Sequence, residues 1–64
     1  MSEIENIQQE IFRTLEKRYN KDKDKIINWL STDNIELSDV PPIFVMCKNT
    51  ENARIVLNLL NEEL

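Results

Sequence analysis

Cys47 is the only thiol in a chain of 64 residues that has no histidine and no glycine, and twelve aspartate and glutamate side chains make up most of the other groups able to do acid–base chemistry. A nucleophilic cysteine needs a base or a cation to lower its pKa. Cys47 has no histidine to activate it and ends the apolar run Ile43-Phe44-Val45-Met46-Cys47, so it reads as a buried structural thiol. Among the carboxylates, Glu62 and Glu63 are neighbours in a solvated tail, while Asp22 and Asp24 alternate with Lys21, Lys23 and Lys25. Zinc sites draw on histidine and several cysteines. Calcium loops of the EF-hand type and phosphate-cradling loops depend on glycine at fixed positions. Several unrelated toolkits are thus missing together. The expectation is a protein that is not an enzyme, takes no cofactor or metal, and works by binding another macromolecule. Trp29 could serve as a binding hot spot, but its neighbours Ile26 and Leu30 favour a place in the core.

Charge narrows the class of partner. The formal net charge is −4, and residues 31–64 hold Lys48 and Arg54 against Asp33, Glu36, Asp39, Glu51, Glu62 and Glu63. The excess therefore sits in the second half. An acidic chain without a basic stripe is repelled by phosphate backbones, which disfavours direct nucleic-acid binding. An acidic face suits a basic protein surface instead. No apolar run approaches the ~20 residues of a membrane span, and the start of the chain lacks the features of a signal peptide. A cytoplasmic protein is the expectation, and a lone cysteine suits a reducing compartment.

The elements that must position any binding surface are helical. Ser2 and Glu5 have capping-box spacing. Ile4, Ile7, Ile11, Phe12, Leu15 and Tyr19 then form one stripe of a helix from about Glu3 to Tyr19. A second helix runs from about Asp22 to Ser31, capped by Asn20 or Asp22 and carrying Ile26, Ile27, Trp29 and Leu30. The polar cluster Ser31-Thr32-Asp33-Asn34 stops it. Residues 43–47 are short enough to be strand or helix. Pro42 suits a first helical turn, and no partner strand stands out, so a short helix is favoured and a dimer-forming strand is the reserve. With no glycine, turns fall to Asn, Asp, Ser, Thr and Pro.

The last helix starts near Asn49 or Thr50. Ala53, Val56, Leu57, Leu60 and Leu64 make one stripe, while Ile55 and Leu59 point to another side. A helix apolar around so much of its circumference is normally covered on more than one face. A chain this short buries only roughly 60% of its unfolded surface, and no disulfide or metal is available to staple it. Ile55 and Leu59 are therefore the candidate partner surface. The alternatives are packing against the first and third segments, or a homodimer seam.

From Lys25 onward the chain resembles the toxin-binding domain of the Xre/MbcA/ParS-type antitoxins. The resemblance is carried by Trp29-Leu30 closing a helix, Asn34, Leu37, Pro42 opening the next helix, and the series Thr50-Glu51-Asn52-Ala53-Arg54-Ile55-Val56 with Leu57 to Leu60. Ser38, Asp39 and Asn52 stand where that family has glycines, and Asp33 where it has a proline. Members carry a DNA-binding helical domain upstream, where this chain has one helix. The resemblance implies a protein that binds and blocks a RES-type toxin, an NAD-consuming enzyme, by burying helical surface over its cleft. Carried over, the last helix with Ile55, Leu59, Glu62 and Glu63 would face the toxin. Pro42 to Leu60 also looks like a strand–helix piece of a helicase domain, without its ATP-binding motifs. The expectation is thus an all-α bundle of three to four short helices over residues 1–64, acting as an antitoxin-like inhibitor. The alternatives are an inhibitor or adaptor, of the kind phages encode, that docks on an unrelated host protein, and a structural homodimer.

Overall fold

The first helix begins where Ser2 and Glu5 cap each other. The Ser2 hydroxyl accepts from the Glu5 amide at 3.3 Å, and the Glu5 carboxylate accepts from the Ser2 amide at 3.4 Å. In the computed structural model, which describes residues 2–63, this cap opens α1 (Glu3–Arg18). Acids in its first turn and Lys17 and Arg18 in its last complement the helix dipole. Asn20 and Lys21 then take left-handed backbone at φ 53° and 62°. The Lys21 amide reaches back to the Glu16 carbonyl at 2.8 Å, a Schellman-type closure that satisfies an end-of-helix acceptor without glycine. Helix α2 (Lys23–Ser31) follows, capped by the Asp22 carboxylate.

The connection to the next helix is a closed seven-residue loop. Asn34 caps a 3₁₀ turn (Ile35–Leu37) through its side chain, its carbonyl accepts from Leu37 and Asp39, and its amide donates to the Val40 carbonyl at 3.4 Å. Ser38 and Asp39 take left-handed backbone at φ 60° and 61° to close it. Pro41 leads into α3 (Pro42–Met46), with Pro42 in the first turn where its missing N–H costs nothing. The Gln8 amide donates to the Met46 carbonyl at 3.0 Å and so ties the end of α3 to α1. Helix α4 (Thr50–Glu63) starts at Asn49, whose side chain accepts from the Asn52 amide at 2.8 Å. Leu64, assigned above to the α4 stripe, lies outside the described residues.

The fold is all-α: four helices and no strand among the described residues. Residues 42–46 are helical, which removes the reserve reading of a strand at 43–47 and the strand–helix likeness with it. A lone strand there would have left its backbone groups unpaired. Helix α1 packs chiefly on α4, α4 on α3, and α3 on α2. Ile11, Leu15, Ala53, Val56 and Leu60 are fully buried between α1 and α4, with Met46 from α3 closing the end and Ile26, Leu30 and Leu37 completing the cluster. The radius of gyration, 10.8 Å, equals the ~11 Å of a compact chain of this length.

Two expectations about burial are corrected. Cys47 is exposed, because α3 ends at Met46 and the thiol belongs to the turn beyond it. Phe12 is 42% exposed, because α4 covers only the Ile7, Ile11 and Leu15 line of α1 and Phe12 lies at the uncovered edge of that stripe.

Candidate protein-binding surface

Helix α4 divides its apolar residues between two environments. Ala53, Val56 and Leu60 face α1 and α3 and are fully buried. On the side turned away, Ile55 remains 46% exposed, while Leu59 is half-buried and packs against the core. Leu37, buried at the 3₁₀ turn of the Asn34–Val40 loop, borders the same surface as Leu59.

Between that loop and α4 lies an open groove of about 240 Å³, lined by Glu36, Leu37, Ile55, Asn58, Leu59 and Glu62. Its floor is apolar and its two charged lining residues are both acids. The structure thus brings together Ile55, Leu59 and Glu62, three of the four residues singled out from the sequence.

Glu63 sits elsewhere. Its Oε1 accepts from the Arg18 guanidinium at 2.5 Å and from the Trp29 indole N–H at 3.3 Å. Glu63 therefore pins the end of α4 to the end of α1 and to α2. This contact also explains Trp29, which is half-buried with its one polar atom satisfied by the carboxylate. The hydrogen bond to Glu63 raises the Arg18 pKa above its ordinary value.

Glu36, Leu37 and Asn58 belong to the groove without having been foreseen. Asn58 lies three residues after Ile55 on one helical face, a spacing the sequence contains. Glu36 comes from a loop whose closure depends on left-handed backbone at two non-glycine residues, which no periodicity signals.

Two further depressions flank α1. Phe12, Glu16, Lys23, Ile26 and Ile27 line a groove of about 320 Å³ between α1 and α2. Arg13, Glu16, Lys17, Asn20 and Lys21 line a hollow of about 360 Å³ at the end of α1, where three basic side chains spaced four residues apart surround Glu16. Among the described residues, no group of three or more Cys, Asp or Glu side chains is placed to hold a metal ion. No helix among them is long and apolar enough to cross a membrane.

Comparison of the chain with protein-family models, with curated proteins and with solved structures finds no match.

Proposed function

We propose that this protein is a non-enzymatic inhibitor that binds a partner protein through the groove between α4 and the Asn34–Val40 loop. The observation that carries the reading is the Ile55–Leu59 floor framed by Glu36 and Glu62. A helix face left apolar after its own core is complete fits a partner that supplies the missing cover. The acidic frame fits a basic rim on that partner, where charge sets on-rate and specificity. Within the partner class, a toxin enzyme is the target, in the manner of a toxin–antitoxin pair, and a RES-type NAD-degrading toxin is the specific candidate. This step rests on the antitoxin resemblance.

One structural detail supports that resemblance. Of the three positions where the antitoxin family has glycines, Ser38 and Asp39 have positive φ, while Asn52 is helical. Glycine is the residue that takes this conformation at least cost. The backbone at these two positions is therefore what a glycine-bearing relative would need. Trp29, Leu30, Asn34, Leu37 and Pro42 all have folding roles here, as indole donor, core, loop cap, core and helix start. They speak for architecture, and the choice of target falls to the groove.

The test is co-expression with a RES-type enzyme, reading cellular NAD. Protection by the unchanged chain, lost with Ile55→Asp and Leu59→Asp together, supports the reading. Undiminished NAD loss in the presence of the folded unchanged chain rejects this target.

A further inference from the structure

We infer that the α1–α2 groove is a self-association surface, on which a second copy of this chain seats by a two-fold rotation about the groove's long axis. This surface is separate from the α4 groove and independent of the proposed inhibitory function.

Each wall of the groove carries the same kind of pair. Helix α1 contributes Phe12 and, one turn later, Glu16; α2 contributes Lys23 and, one turn later, Ile27. Because residues 19–22 link the two helices, Glu16 and Lys23 lie towards the linked end and Phe12 and Ile27 away from it. Phe12 is 42% and Ile27 58% exposed, with Ile26 buried beneath them as the floor. Among the described residues, neither Glu16 nor Lys23 has an ion-pair partner.

A two-fold axis along the groove exchanges its walls. Helix α1 of one copy then lies on α2 of the other. Phe12 meets Ile27 of the second copy, and Glu16 meets its Lys23; the same two contacts recur on the other side of the axis. Such an interface is isologous, since each surface is its own complement. The apolar pairs would be desolvated at the centre and the opposite charges would close the end, the usual division between interface core and rim.

The charge pattern selects this groove and not the α4 groove for a second copy. Here the charged lining is one acid and one base, Glu16 and Lys23, so each can meet its opposite on a second copy. At the α4 groove the charged lining is Glu36 and Glu62. A second copy there would set acid against acid, which costs affinity. The two apolar surfaces thus take different occupants: a second copy on α1–α2, a basic partner on α4.

Sedimentation equilibrium of the full chain over a wide concentration range, at physiological ionic strength, tests this. The expected result is a mass rising from one chain towards two. Glu16→Lys sets two pairs of like charges against each other and should raise the dimer Kd about tenfold or more. The exchanged variant, Glu16→Lys with Lys23→Glu, should return the Kd to within a few fold of the original. Phe12→Glu, with helicity checked by circular dichroism, should leave only monomer. A mass fixed at one chain throughout overturns the inference. So does a dimer whose Kd ignores Glu16→Lys, since the copies would then meet through another face.

Discussion

Arg18 and Glu63 hold the ends of the two longest helices together: the guanidinium of one donates to the carboxylate of the other at 2.5 Å across 45 residues of chain. The same carboxylate oxygen accepts from Trp29. One side chain at the end of α4 thus joins three helices, and it does so from a position that reads in sequence as a solvated acidic tail. Its charge is paired within the chain at the surface, whereas Glu62, one residue earlier, lines the groove.

The consequence is a separation of effects. Both partners of the ion pair are partly exposed, with side-chain accessibility of 27% and 30%, so the pair is screened and contributes no more than about 1 kcal/mol. Glu63→Gln should lower stability by less than that in urea unfolding and should alter Trp29 emission. Partner affinity should hold. Glu62→Lys should do the reverse, leaving Trp29 emission unchanged while weakening partner binding.

The core is small enough for one side chain to decide folding. Leu60 is fully buried between α1 and α4. Truncation of such a leucine to alanine costs about 2–5 kcal/mol, against a total for this length of roughly 3–10 kcal/mol. Leu60→Ala should broaden or abolish the thermal transition seen by circular dichroism. Phe44→Ala, at a side chain 68% exposed, should leave it nearly unchanged.

Left-handed backbone at non-glycine residues is a reserve of stability. Lys21 and Ser38 have φ of 62° and 60°, where a Cβ costs about 1–2 kcal/mol. Glycine relieves that cost but loses more entropy on folding. Lys21→Gly and Ser38→Gly should each raise stability by about 0.5–1 kcal/mol. Lys21→Ala keeps the Cβ and should give no gain. A loss of stability with either glycine would show that the side chains contribute more than their backbones cost.

Cys47 separates the sequence expectation from the structure directly. The thiol is exposed, so a thiol-specific reagent should label the native protein at the rate it labels the unfolded chain. Protection that disappears only in denaturant would return Cys47 to the core.

What the sequence shows depends on how local the cause is. Ser2 with Glu5, the Ile7–Ile11–Leu15 line, Asp22, Pro42 and Asn49 each act within one turn of helix, and each is readable from spacing. The Ile55 and Leu59 face is readable for the same reason. The opposite wall of the groove is not, because Leu37 and Glu36 are brought in by a loop that closes through Ser38 and Asp39. Nor is the role of Glu63, whose partners lie 45 and 34 positions away. Phe12 was misplaced because a stripe records which residues share a face. It does not record how wide the neighbouring helix is.

The proposed function stands on a partner protein held in the α4 groove. Its most direct test is affinity capture from lysate of the native source, with the unchanged chain and the Ile55→Asp, Leu59→Asp double variant as parallel baits. The proteins retained would be read by mass spectrometry, and the helicity of both baits matched beforehand. The expected result is one stoichiometric protein, a RES-type NAD-degrading enzyme, on the unchanged bait and its loss from the double variant. Equal retention of that protein by both folded baits would rule out this groove and place the binding surface off α4.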